Sequence, residues 1–254
     1  MRQYTLLLIC VLALSTSGVQ AKTEPVQWFE QANALYNEGN YDSAMVLYEE
    51  ILAADMESVP LYFNMGNAYY KMGEYPMAIY CYEKALKLDP GNEDVCNNLN
   101  IANLAIVDKV EPVPQSFIVK GWNGLKSWLS SDQWAYVSLA AFALLLVSLG
   151  LFLRARRMGW RKLGFFGGVA MVVLIGLSVV MAYQLKHAAL TEDQAIVMTP
   201  TVTVKSSPST ASVDLFVLHE GTKVSLLDEA NGWCKIRIAN GSVGWLQADF
   251  MRPF

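Results

Sequence analysis

Two uncharged apolar stretches, residues 134–153 and 163–185, enclose a short segment that carries Arg154, Arg156, Arg157, Arg161 and Lys162. At about 1.5 Å of rise per residue, a helix over the first stretch reaches roughly 30 Å, the thickness of a bilayer's hydrocarbon core. The second stretch is longer. Neither contains Asp, Glu, His, Lys or Arg, so neither reads as an ion pathway or a proton relay. A transmembrane hairpin is therefore expected, with spans at 133–153 and 163–185 and the basic loop 154–162 in the cytoplasm by the positive-inside rule. Composition agrees, because 54% hydrophobic against 17% charged residues is too apolar for a chain that meets only water. Everything before and after the hairpin then lies on the far side of the membrane. Gly164 and Gly168 form a GxxxG pattern that serves either tight packing within the hairpin or association of two copies.

The start of the chain points to the same side. Arg2, an apolar run from Leu6 to Leu14, and small or polar residues up to Ala21 follow the order of a secretory signal peptide over residues 1–21. Cleavage is expected after Ala21, an uncleaved anchor being the alternative. Cys10 lacks the small residues that precede a lipidated cysteine. The remaining cysteines, Cys81, Cys96 and Cys234, have no paired spacing, which argues against zinc or a redox dithiol and leaves a Cys81–Cys96 disulfide open. A net charge of −4 supplies no basic stripe for nucleic acid.

Between these segments the chain repeats itself. Phe29, Asn33, Tyr36, Gly39, Tyr41, Ala44 and Tyr48 recur as Phe63, Asn67, Tyr70, Gly73, Tyr75, Ala78 and Tyr82, every pair at one offset of 34. The second copy also carries Tyr62, Gly66, Tyr69, Ala85 and Pro90, and it resembles the tetratricopeptide repeat. The first copy departs from that pattern, with Ala32 for the glycine and Met56 for the proline. Repeats are expected at 25–58 and 59–92, each an antiparallel helix pair turned by a glycine of positive φ. A capping helix is expected at 93–107, with Asn92 at its N-cap and Val95, Leu99, Ala102 and Ile106 on its inner face. So short an array calls for a partner or a neighbour to add stability.

The resemblance implies a concave groove along the first helix of each pair, lined by Phe29, Asn33, Tyr36, Phe63, Asn67, Tyr70 and Lys71. Asparagine amides can both donate to and accept from an extended peptide backbone, and aromatic rings add area at small entropic cost. The alternative is that Phe29 and Phe63 are packing residues and the asparagines are only solvated. Phe29, Glu30 and Phe63 stand where a carboxylate clamp would need cations.

Pro112 and Pro114 mark a linker at 108–115. After it, Ile118, Trp122, Leu125 and Leu129 keep helical spacing, with Phe117 and Trp128 beside them and Lys120 and Lys126 as the charges. Residues 108–132 thus read as a linker and an interfacial helix, or else as a soluble amphipathic helix packed on the repeats.

Beyond Gln194 short β-rich runs alternate with turn residues, including Asn240-Gly241, a hairpin signal in which both residues favour positive φ. Residues 194–254 resemble bacterial SH3-like domains through Val204-Lys205-Ser206-Ser207-Pro208, Gly221-Thr222-Lys223-Val224, Gly232-Trp233-Cys234-Lys235-Ile236 and Gly241-Ser242-Val243-Gly244-Trp245-Leu246. A small all-β barrel is expected. Trp233 and Trp245 are candidates for its binding surface, core packing being the alternative for each.

No catalytic constellation surrounds either histidine, His187 or His219, and no metal or cofactor motif is present, so a non-catalytic protein is expected. The whole is a multidomain α plus β chain: a helical repeat array, a two-helix transmembrane hairpin and a C-terminal barrel. This order of parts resembles the BatE-type member of the Bacteroides aerotolerance (Bat) family. The resemblance implies an inner-membrane protein with its repeats and barrel in the periplasm. It also implies membrane-protein partners, including those with von Willebrand factor A domains, and a link to oxygen or stress tolerance. Two functions follow as expectations: an assembly adaptor that uses the repeat groove, or an envelope sensor or anchor that binds peptidoglycan or cell-wall peptides through the barrel.

Overall fold

The computed structural model describes residues 23–110, 113–114 and 116–254, so the segment read as a signal peptide, with Cys10, lies outside the described residues. Helices α1 (Thr23–Asn37) and α2 (Tyr41–Ala53) form one antiparallel pair, and α3 (Val59–Met72) and α4 (Tyr75–Leu88) the next. Gly39 at φ 82° and Gly73 at φ 83° make the turn within each pair, in the left-handed region where a side chain would be strained. Ser58 caps α3 through the Leu61 N–H, and Asn92 caps α5 (Glu93–Ala105) through the Val95 N–H. The fifth helix lies against α4 as the first half of a third pair.

Small residues set the spacing of these helices. Ala32, Ala44, Ala68, Ala78, Ala85 and Ala102 are fully buried, and a Cβ at Gly66 would lie 2.5 Å from the Tyr82 ring. Tyr48, Leu61, Met65, Ile79 and Tyr82 fill the remaining volume. Cys81 is buried in this core and Cys96 is exposed; both are free, so the disulfide left open by the sequence is not formed.

After the linker come α6 (Phe117–Lys126) and two helices long and apolar enough to cross a membrane, α7 (Ser131–Arg154) and α8 (Met158–Leu190). They pair along their length. A Cβ on Gly164 would meet the Phe152 N and the Ser148 O at 2.7 Å each, so the first glycine of the GxxxG pattern is spent on contact within the hairpin. Helix α8 outruns the apolar stretch 163–185 at both ends and stops only three residues before the first strand.

That strand opens a seven-stranded antiparallel sheet: β1 (Gln194–Val197), β2 (Thr201–Lys205), β3 (Asp214–His219), β4 (Lys223–Ala230), β5 (Trp233–Arg237), β6 (Val243–Gln247) and β7 (Met251–Pro253), in the order β3-β2-β6-β5-β4-β1-β7. Its inner face carries Ala195, Val197, Val202, Val204, Leu218, Val224, Ile236 and Leu246. The turn chemistry differs from the sequence reading. At Asn240-Gly241 only Gly241 takes positive φ, 91°. Gly241 N–H donates to Ile238 O, and Ile238 N–H donates to Ser242 O, so three residues turn the chain and the glycine ends the turn as a bulge. The two-residue turn with both residues at positive φ is instead Asn231-Gly232, φ 51° and 76°, between the paired Ala230 and Trp233.

A Cβ on Gly244 would fall 2.4 Å from Val204 Cγ1 and 3.0 Å from the Lys205 carbonyl oxygen. Val204 is fully buried and the carbonyl is backbone, so neither can yield. Gly244→Ala is therefore expected to destabilise the β domain by about 1–3 kcal/mol, read as an earlier transition in thermal or denaturant unfolding of the detergent-solubilised chain.

Candidate functional site

Each first helix carries an asparagine on its inner face, and the two are wired alike. Asn33 Oδ1 accepts from the Tyr48 hydroxyl at 2.7 Å and from Asn64 Nδ2 at 2.8 Å. One repeat later, Asn67 Oδ1 accepts from the Tyr82 hydroxyl at 2.8 Å and from Asn98 Nδ2 at 2.7 Å. Burial holds the Tyr48 hydroxyl up at about 12 and raises that of Tyr82 as well, so both stay protonated donors. In this orientation each Oδ1 takes two donors, and each Nδ2 is left without an acceptor among the described residues. Asn33 and Asn67 present donors only; the accepting role anticipated from sequence is used up inside the array.

The aromatics repeat in the same way. Phe29 and Tyr48 have ring centroids 6.1 Å apart, Phe63 and Tyr82 6.2 Å, Tyr36 and Tyr41 5.3 Å, and Tyr70 and Tyr75 5.4 Å. Phe29 and Phe63 thus brace their own second helices. Phe29 also lines a small apolar cleft at the N-terminal flank with Val26, Met56 and Pro60. Tyr36, Asn67, Tyr70 and Lys71 come together with Tyr82, Asn98 and Ile101 around a cleft of about 260 Å³. Lys71 is the one charged residue in that lining. Asn64 and Asn98 were missed in the sequence reading, although they too stand 34 apart.

The opposite side of the array is covered. Ile196 and Phe254, from the β domain, belong to the same buried cluster as Tyr48 and Tyr82. Phe254 is edge-on to Tyr80 at 6.0 Å, and the Arg252 guanidinium lies over the Tyr80 ring at 4.5 Å. Lys87 Nζ donates to the Phe254 carbonyl oxygen at 2.8 Å, to the Thr191 carbonyl and to Asp193 Oδ1 at 3.4 Å, while lying over the Phe254 ring. Burial lowers the Lys87 ammonium's pKa and Asp193 opposes that shift. Lys223 pairs with Glu83 at 2.7 Å. On the other edge of this contact, Asp108 accepts from the His219 N–H at 2.7 Å, from His219 Nδ1 at 2.8 Å and from Thr222 Oγ1 at 2.7 Å, joining the segment after α5 to the β3–β4 turn.

Trp233 and Trp245 are half-buried on the outer face of the sheet, since their neighbours Cys234, Ile236 and Leu246 point inward. Lys205 and Lys235 flank Trp245 across the two adjoining strands. Neither tryptophan belongs to the core.

Residues 59–92 match the family model described as the tetratricopeptide repeat, and residues 32–73 match a second one, described as TPR repeat. Residues 200–252 match the bacterial SH3 domain. The chain carries tetratricopeptide repeats and a bacterial SH3 domain. No curated protein matches it. The two modules accord with protein–protein interaction and with binding at the cell wall.

Burial alone would raise the Asp108 pKa, but the three hydrogen bonds from His219 and Thr222 hold it below its ordinary 3.8. A carboxyl depressed in the folded state stabilises that state above its ordinary pKa, and the contribution disappears as pH falls through the folded value. Asp108→Ala should therefore loosen the β3–β4 turn at pH 7 by about 1–3 kcal/mol, seen as faster amide exchange at His219 and Thr222. The difference from wild type should shrink as pH drops below 3.8.

Proposed function

We propose that this protein is a non-catalytic, membrane-anchored adaptor whose repeat groove holds an extended segment of a partner membrane protein. The observation that carries this reading is the pair of identically bonded amides, Asn33 and Asn67, one repeat apart with their Nδ2 donors unspent. Donors repeated at a fixed pitch suit the carbonyls of an extended backbone, which are present whatever the side chains. Tyr36, Tyr70 and Lys71 supply contact area and one positive charge beside the second donor.

In this reading α7 and α8 span the inner membrane of a bacterium. The cluster from Arg154 to Lys162 faces the cytoplasm, and the repeats and SH3 domain face the periplasm. The short loop leaves no cytoplasmic domain, so coupling to any cytoplasmic motor runs through other subunits. The order of parts supports a Bat-type envelope complex, with von Willebrand factor A domain proteins among the partners and a role in aerotolerance or stress. A second reading is favoured by the outward-facing Trp233 and Trp245: the SH3 domain anchors the protein to peptidoglycan or cell-wall peptides.

Replacing the asparagines by alanine would strand the Tyr48 and Tyr82 hydroxyls, so a loss of binding could reflect a damaged array. Asn33→Asp with Asn67→Asp keeps both Oδ1 acceptors and turns the outward donors into carboxylates. The pair should cut co-purification of membrane partners in mild detergent about tenfold or more while leaving the helical melting transition in place. Undiminished capture would sink the adaptor reading. Sedimentation of the chain with purified sacculi, compared between wild type and Trp245→Ala, decides the second one.

A further inference from the structure

Helix α6 is nearly all surface, and the wrong kind of surface for water. Phe117 is 84% exposed, Ile118 68% and Trp128, just past the helix end, 78%. Its other side is fastened. Leu125 and Leu129 pack with Trp134 and Val137 of α7 and with Leu177, Met181, Ala182 and Leu185 of α8. Trp122 Nε1 donates to Gln184 Oε1 at 3.2 Å, and Trp134 Nε1 donates to the Lys126 carbonyl at 3.4 Å.

These contacts fix the height of α6. Trp134 begins one uncharged stretch and Leu185 ends the other, so the helix is held where both stretches meet polar sequence. We infer that α6 is a foot lying in the bilayer interface, with Phe117, Ile118 and Trp128 seated among phospholipid acyl chains near the headgroups. This rests on the reading of α7 and α8 as spans. Lipid is the occupant the surroundings favour, because the bare side chains continue the apolar faces of the spans, where Tyr136 and Leu139 are likewise exposed. Tryptophan favours this level of a membrane, and Lys120 and Lys126 can extend toward phosphates from it.

The foot also carries the array. A Cβ on Gly91, in the α4–α5 turn, would lie 2.1 Å from the Ser127 carbonyl oxygen at the end of α6. The repeats therefore rest directly on a helix that lies in the membrane surface, and the groove meets partner segments close to the bilayer.

Benzoylphenylalanine placed at Phe117, at Trp128 and, as a control, at the lipid-facing Phe142 of α7 tests this in the full chain reconstituted in phosphatidylethanolamine–phosphatidylglycerol vesicles. Irradiation is expected to add the mass of one phospholipid at all three positions. Capture of lipid at Phe142, with protein adducts or no adduct at Phe117 and Trp128, overturns the foot while leaving the spans. Failure at Phe142 as well removes the span reading and the inference with it.

Discussion

Lys87 holds the molecule together at one point. Its stem crosses the Phe254 ring while its ammonium reaches the carbonyl oxygens of Phe254 and Thr191 and the Asp193 carboxylate, so one side chain ties α4 to the end of α8 and to both ends of the β domain. An ammonium this buried is tolerated only where its donors are answered, and here all three are. Beside it, Ile196 and Phe254 enter the array's own core. Two helix pairs and a half are a short solenoid, and the β domain supplies on the α4 side the apolar contact that further repeats would otherwise give. The connection between α8 and β1 is only three residues long, and two of them, Thr191 and Asp193, are among the partners of Lys87.

The docking decides which surface of the array is left to work with. Covering α4 closes the outer side and leaves the first helices, with their asparagines, facing outward. Within the ladder from Asn33 to Asn98 the Asn33 and Asn67 carbonyls are each occupied by two donors, which makes these amides part of the packing as well as of the proposed groove. The ladder also ends by design of the sequence: one repeat beyond Asn67 stands Ile101, which has no amide to offer. The groove therefore has two oriented donors and an aliphatic terminus beside Lys71, a restricted vocabulary that favours a short extended segment over a folded surface.

Much of this was legible in the residues. An offset of 34 over seven positions gave the helix pairs, their glycine turns and the equivalence of Tyr48 with Tyr82, because a repeat reports local packing that recurs with the chain. The uncharged stretches announced α7 and α8 for the same reason: bilayer length and charge are properties of contiguous sequence. The donor-only state of the asparagines was not legible, since it depends on hydroxyls from another helix. Nor was the Asp108 clasp, whose partners His219 and Thr222 are over a hundred residues away. Trp233 and Trp245 stayed ambiguous in sequence because alternation assigns two faces without saying which is inward; only the burial of Ile236 and Leu246 settles it. At Asn240-Gly241 the dipeptide signal was sound for a turn but silent on loop length, and one extra residue moved the positive φ onto the glycine alone.

With α7 and α8 read as spans, the height of the groove above the membrane follows from rigid parts. Helix α8 runs unbroken from the basic turn to the threshold of β1, α6 is pinned to the mouth of the hairpin by Leu125 and Leu129, and the α4–α5 turn sits on the end of α6 with no room for a methyl group. A flexible tether would let the repeats search a volume and bind soluble ligands as readily as any other. A fixed seat at the interface instead raises the effective concentration of segments that are themselves held near the bilayer. Two donors and one cation make a modest binding surface, which in free solution would give weak capture. In the proposed adaptor role, modest contacts would then suffice against a partner confined to the same two-dimensional layer, and placement would add to the selectivity given by the groove's chemistry.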